Sequence, residues 1–225
     1  MKISVLIPFR SADPQRVALW NLLRPQWEAL GPDVELCSTS DGGGPGDRFS
    51  FARGANRCRE LATGDVLLVH GADQMLPDPA TWERIRATMA AAPWMWVYKE
   101  TLEIDAWPTR LMLQGCSPAM VPMVGRLLDH CYAIYALRAD VWDDVGGLDE
   151  RLVGWGPEDA IMRRVLRALY PDGVDQGEGV MRALWHEPAP RDRVPVNHGF
   201  YEETLAAADG GPEVLRRYLK EARGG

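Results

Sequence analysis

Apolar residues in this chain fall into short runs, some unbroken and some interrupted by a single polar residue, separated by longer stretches with helical spacing. Ile3 to Ile7, Val34 to Cys37, Val66 to Val69, Trp94 to Tyr98 and Val180 to Trp185 are such runs. Continuous apolar segments bounded by turn formers predict strands buried on both faces. Asp13-Pro14 and Asp78-Pro79 each pair an N-cap acid with proline at the first helical position. Val17, Trp20 and Leu23 follow the first pair, with an interruption expected near Pro25 and a resumption through Trp27 and Leu30. Trp82, Ile85 and Met89 follow the second. Ser50 caps a helix to about Ala62, with Phe51, Ala55, Cys58 and Leu61 inward. Further along, Cys131 to Leu137 alternates as a strand does, and Asp140 caps a short helix over Val141 to Val145 that Gly146-Gly147 stops. Pro157 opens a helix with Ile161, Val165 and Leu169 on one face. Residues 189–197 read as loop, and two short helices, about His198 to Ala208 and Pro212 to Ala222, end the chain. Strands alternating with helices predict an α/β fold with a mostly parallel central sheet.

One stretch breaks the alternation. Lys99 to Asp129 carries Pro108, Pro118 and Pro122 and no sustained period. Connections this long are uncommon unless functional, which predicts a partly mobile segment over the substrate, with Trp107 as a contact.

The candidate chemistry lies where the apolar runs end. Val66 to Val69 gives way to His70-Gly71-Ala72-Asp73-Gln74, and open α/β sheets bind ligands beyond the carboxyl ends of their strands. An acid at such a place is ordinarily a turn or cap residue. A metal-binding role for Asp73 therefore requires a partner from elsewhere, and His186 ends the last run in the same way. Ser40 to Gly46 is a glycine-rich loop that fits neither the Walker A nor the dinucleotide pattern. Arg53 stands in the first turn of its helix, within reach of a phosphate at the ligand end of the sheet. Glu158 and Asp159 begin the helix after Pro157, where the dipole stabilises negative charge and acids are common. The preceding Gly154-Trp155-Gly156 adds a flat aromatic surface beside the carboxylates, the kind of surface on which sugars stack.

Composition narrows the field. The 225 residues suffice for one domain with a C-terminal appendage. A net charge of −7 argues against general binding to nucleic acid or anionic membrane. The N-terminal apolar run is too short for a signal sequence, and no run reaches the ~18 residues of a membrane span. With four cysteines and no CxxC pair, this predicts a cytoplasmic protein with reduced thiols.

Taken in order, the strand ending in Pro8, Asp41 after the second strand, FARGANRCRELATGDVLLVHGADQMLP, GGLDERLVGWGPEDAIMRRVL and a late histidine resemble the inverting GT-A-fold glycosyltransferases of family 2 and the galactosyltransferase-like enzymes. The resemblance covers about residues 3–188, and its most specific part is Gly146 to Arg163. It implies a Rossmann-like GT-A domain over 1–190, with a nucleotide-sugar half at about 1–98, an acceptor and catalytic half at about 130–188, and a helical extension at 191–225. By position it implies that Pro8, Arg10, Asp41, Arg53, Ala72 and Asp73 bind the nucleotide, with Asp41 on the base. Asp73 and His186 would hold Mn²⁺ or Mg²⁺, Trp155, Gly156 and Glu158 would contact acceptor or donor sugar, and Asp159 would be the general base. The donor would be a nucleotide sugar, a UDP-sugar first, and the acceptor a glycan, lipid, protein or small molecule. One departure is plain: Gly71 stands where the family's first aspartate belongs, with His70 as a conceivable substitute. A GT-A protein that binds without turnover and a nucleotidyltransferase are the alternatives, and the second leaves Gly-Trp-Gly-Pro-Glu-Asp unexplained.

Overall fold

A computed structural model describes residues 1–44, 46–131 and 134–223. Its main sheet contains β1 (Ile3–Leu6), β2 (Val34–Cys37), β3 (Val66–Val69), β4 (Trp94–Trp96) and β7 (Tyr135–Arg138), in the order β2-β1-β3-β7-β4. β1 pairs in parallel with β2 and β3, while β7 runs antiparallel to both β3 and β4. The sheet is thus mixed, with one strand reversed. β1 and β3 are buried along their whole length, Ser4 included, as in a sheet covered on both faces. Of the expected strand at Cys131 to Leu137, Tyr132 and Ala133 lie outside the described residues.

The proline-capped helices form as their sequences direct. In α1 (Pro14–Glu28), the Asp13 carboxylate accepts from the Arg16 amide at 2.9 Å. In α3 (Pro79–Met89), Asp78 does the same for Thr81 at 2.8 Å. Ser50 caps α2 (Phe51–Leu61). Contrary to expectation, α1 runs through Pro25 without a break. Pro25 is exposed, so the lost hydrogen bond faces water, while Leu23 and Trp27 anchor the helix in the core. Leu61, expected inward, is exposed at the end of α2.

The largest correction falls on residues 99–129. They form β5 (Glu100–Ile104), α4 (Ala106–Leu113) and β6 (Gly125–Leu128). With β8 (Val180–Ala183), β5 and β6 make a second sheet in the order β6-β5-β8. β5 pairs antiparallel with β6 and parallel with β8. Its strands escape a period search because β5 is only partly buried and three of the four β6 residues are exposed, so their apolar pattern is thin. After β7 come α5 (Ala139–Val145), stopped by Gly146 and Gly147 at φ of 74° and 73°, and α6 (Glu158–Leu169). The chain closes with α7 (Val194–Asp209) and α8 (Pro212–Ala222). α7 starts inside the segment expected to be loop and packs against α6.

Candidate active site

The site begins where β3 ends. Beyond Val69 the chain turns through Gly71 and Ala72 and then pairs with the end of β8. The Met75 amide donates to the Arg182 carbonyl at 2.9 Å, and the Leu184 amide to the Asp73 carbonyl at 2.8 Å. This backbone pairing carries Trp185 and His186 across Asp73. Thr109 on α4 and Gln15 on α1 then fix Trp185, through its amide (3.0 Å) and its carbonyl (2.9 Å). The second sheet and α4 are therefore the scaffold that delivers His186.

His186 Nε2 lies 3.1 Å from Asp73 Oδ2, and its Nδ1 lies 2.8 Å from the Glu187 carbonyl. A carbonyl only accepts, so Nδ1 carries a hydrogen. Nε2 then faces a carboxylate and needs a proton or a cation between the two groups. Burial pulls the His186 pKa down, but the hydrogen bond and charge of Asp73 outweigh it and raise the pKa above the usual histidine value. For Asp73, burial pushes up and His186 more than compensates, leaving the carboxyl below its usual range. Two cis ligands at about 2.1 Å from one ion are ~3 Å apart, so the pair fits a hard divalent cation. No group of three or more His, Cys, Asp or Glu suited to a metal exists among the described residues. The remaining coordination would have to come from water and substrate oxygens.

Gly71 has a definite partner. Its amide donates to the Gln74 side-chain oxygen at 2.7 Å, and a Cβ at position 71 would meet that carboxamide at 2.7 Å and Asp73 Oδ1 at 3.0 Å. Gln74 thus fills the space a first acid would need. His70 does not substitute for it. Its ring is fully buried beside Trp27, at 4.7 Å between centroids, and burial depresses its pKa to about 4.

A cleft beside Asp73 is lined by Pro8, Arg10, Arg16, Phe49, Phe51 and Ala72, among others. Gly54 makes room for its floor, since a Cβ there would strike Pro8 at 2.5 Å. Asp41 lies beneath and is fully buried. It accepts from Arg10 Nε (2.5 Å) and Nη2 (2.9 Å), the Ser50 amide (2.9 Å) and the Gly43 amide (3.4 Å). Burial raises its pKa, but these donors, Arg10 first, bring it down to about 2. Four donors fill both carboxylate oxygens, so Asp41 has no free edge for a base. It holds Arg10 and the loop around it, while Arg10 also donates to the carbonyls of Gly44 and Asp47, each at 3.1 Å. Arg53 is half exposed and outside the cleft lining, with Glu150 3.9 Å away.

The second cluster approaches the same loop. The Gly154 amide donates to the Phe49 carbonyl (2.9 Å), and the Ser50 hydroxyl to the Leu152 carbonyl (2.7 Å). From α7, the buried Asn197 donates to the carbonyls of Val153 (2.9 Å) and Trp155 (2.8 Å). Trp155 is 42% exposed, with the Arg191 guanidinium 5.0 Å above its ring. Pro157 occupies the N-cap of α6, one position earlier than the sequence suggested. Gly156 leaves room for Glu158 to fold back, its missing Cβ lying 3.2 Å from both carboxylate oxygens. Burial and the neighbouring Asp159 charge raise Glu158 to about 7, only partly offset by a hydrogen bond from its own backbone amide. The helix N-terminus alone would have lowered it; desolvation wins. The Asp159 side chain accepts from the Ala160 amide at 2.8 Å, and its charge reaches Cys131 and Tyr135, the first residue of β7. The Tyr135 hydroxyl is buried with no hydrogen-bond partner among the described residues. Sequence reasoning missed Arg16, Phe49, Phe51, Gln74 and Asn197. Arg16 alone carried a local signal, three residues past the cap of the helix that follows the first strand.

Comparison with solved structures shows that the fold is of the GT-A type. Glucosyl-3-phosphoglycerate synthase from Mycobacterium tuberculosis, solved with Mn²⁺ and UDP-glucose, aligns over 94% of this chain and 80% of its own, at 15% identity and a TM-score of 0.51. Residues 1–349 of S. aureus TarS align over 82% of this chain and 60% of that one, at 14% identity and a TM-score of 0.51. No family model and no curated protein sequence matches the chain. No helix among the described residues is long and apolar enough to cross a membrane.

Proposed function

We propose that the chain is a metal-dependent inverting glycosyltransferase, moving a sugar from a nucleotide-sugar donor, a UDP-sugar first, to an acceptor hydroxyl. The observation that carries this reading is the Asp73–His186 pair, 3.1 Å apart beside a cleft of the GT-A sheet. A divalent cation held by these two residues would supply Lewis-acid neutralisation of the departing diphosphate. UDP as the first nucleotide follows from the M. tuberculosis neighbour, solved with UDP-glucose and Mn²⁺. Phe49 and Phe51 give the cleft apolar walls for a flat base, and Arg10, fixed by Asp41, holds the loop that carries them.

The acceptor half of the reading centres on residues 154–159. Trp155 offers its ring to an acceptor sugar, and Glu158, whose burial raises its pKa to about 7, is suited to hydrogen-bond a hydroxyl. Asp159 accepts the hydroxyl proton as the acceptor oxygen forms its bond to the anomeric carbon and the bond to the diphosphate oxygen breaks. A single displacement of this kind inverts the anomeric centre. In this reading, residues 1–98 serve the donor and 130–188 the acceptor. α7 is more than an appendage, because Asn197 holds the Trp155 loop.

The deciding experiment incubates the protein with a panel of nucleotide sugars and Mn²⁺ and follows nucleoside diphosphate release, with and without EDTA. Metal-dependent release from one donor supports the proposal. A second reading, a GT-A protein that binds a nucleotide sugar without turnover, is favoured by Gln74 in the place of a first acid. Binding of the donor with no release, with any glycan, protein or small-molecule acceptor tried, would establish it.

A further inference from the structure

Arg16 belongs to neither role described so far. It stands in the first turn of α1, with its amide held by Asp13 and its side chain lining the cleft next to Asp73. Among the described residues, its side chain gives one hydrogen bond, from Nη2 to the Glu187 carbonyl at 3.3 Å. That anchor is weak, and it lies one residue beyond His186. The Arg16 charge acts on both Asp73 and His186, and no carboxylate lies within ion-pair distance of it among the described residues. Most arginines of this chain that turn toward its interior have an acid: Arg10 has Asp41, Arg151 has Asp149 and Arg163 has Asp175. Arg16 is a half-buried cation at the metal end of a cleft, with several N–H groups uncommitted.

We infer that Arg16 contacts the donor diphosphate directly, an inference that rests on the nucleotide-sugar reading above. Charge bookkeeping favours it. Among the described residues that line the cleft, Asp73 is the one carboxylate, and Gln74 occupies the space beside Gly71. A single carboxylate holds a divalent cation less tightly than two would, so a fixed cation of the chain takes a larger share of the diphosphate charge. Asp73, a divalent cation and Arg16 sum to a formal charge of plus two, which matches the minus two of a nucleotide-sugar diphosphate. Arginine also suits the task by shape, since its fork bonds two phosphate oxygens at once.

The test compares wild type, Arg16→Gln and Arg16→Lys by calorimetric titration. The probes are Mn²⁺ alone, UDP, GDP, ADP and CDP with Mn²⁺, and the corresponding free nucleosides. Arg16→Gln should weaken the best nucleoside diphosphate about 10- to 100-fold, the scale of one or two charge-assisted hydrogen bonds. The nucleoside should change less than about 2-fold, and Arg16→Lys should recover part of the loss. Binding of Mn²⁺ alone should hold or tighten, because a neighbouring positive charge has gone. A merely structural Arg16 would weaken Mn²⁺ and diphosphate together, and that result overturns the inference. An unchanged diphosphate affinity in Arg16→Gln overturns it while leaving the nucleotide reading intact. If wild type binds none of the four diphosphates with Mn²⁺, the nucleotide reading fails and takes the inference with it.

Discussion

The loop at residues 41–50 and the loop at residues 150–159 meet through Gly154 and Phe49, yet they treat their acids in opposite ways. Asp41 is fully buried, filled by four donors and held to about 2. Glu158 is half-buried, has no cationic partner within ion-pair distance among the described residues, and is raised to about 7. Nearby, the Asn197 Oδ1 and Tyr135 hydroxyl atoms are buried without partners among the described residues. Buried polar groups are normally satisfied, and exceptions concentrate where a ligand or a proton is expected. The difference separates framework from chemistry. Asp41 is saturated by donors, while Glu158 and the nearby Asn197 Oδ1 and Tyr135 hydroxyl have fewer among the described residues.

The comparison can be broken at several points. The largest effect should come from Asp159→Asn, which keeps the shape of the side chain and removes its basicity. A fall in kcat of about 10²–10⁴ is expected, with nucleotide and Mn²⁺ affinity near wild type, as measured by steady-state kinetics and titration. Glu158→Gln should raise the acceptor KM instead. If Glu158→Gln abolishes turnover and Asp159→Asn stays active, the two roles are exchanged.

Next in size, Asp41→Ala leaves Arg10 in a site built for an ion pair. Denaturant unfolding should show a loss of about 3–5 kcal/mol, the usual cost of breaking a buried pair from one side. A loss below ~1 kcal/mol would mean that the 41–50 loop is not the rigid member of the comparison. The depressed pKa of Asp41 also gives a pH signature. Its stabilising share is full above the unfolded carboxylate value near 4 and vanishes as pH falls through about 2. Wild type should therefore lose stability across that acid window, and Asp41→Ala should lose less.

Gly71→Asp tests how firmly Gln74 holds its place. The new side chain would collide with the Gln74 carboxamide and crowd Asp73, for a cost of about 1–3 kcal/mol. Adding Gln74→Ala should return part of it, a coupling that a double-mutant cycle measures. Simple additivity would show that the two side chains do not compete.

An effect of similar size, read through pH, belongs to Glu158 alone. Its folded pKa is raised from an unfolded value of 4.5 to about 7, so folding takes up a proton between those limits. The corresponding stability is full below about 4.5 and is lost as pH rises to about 7, with a slope of at most ~1.4 kcal/mol per pH unit. Glu158→Gln should flatten this part of the stability–pH curve. The smallest change is expected for Asp192→Ala, which breaks an exposed pair with Arg48. Such pairs contribute about 0–1 kcal/mol, so the melting temperature should barely move, and less still at high salt.

How much of this was legible beforehand follows from the range of the forces involved. Short, mostly apolar runs identify β1 and β3, and an acid followed by proline identifies the starts of α1 and α3, because burial on both faces and capping are decided within a few residues. The order of strand-end acids, glycines and a late histidine was enough to suggest the GT-A class. Residues 99–129 were not readable as structure, since partly exposed strands carry little periodicity and acquire their meaning only by pairing with β8. That pairing is what sets His186 against Asp73 across 113 positions of chain. Tertiary packing alone decided that Asp41 would be saturated and Glu158 raised. Both are acids in loop or helix-start settings, and no local rule tells them apart. What separates them is the number of donors that distant segments bring to each carboxylate, and desolvation punishes the one left without.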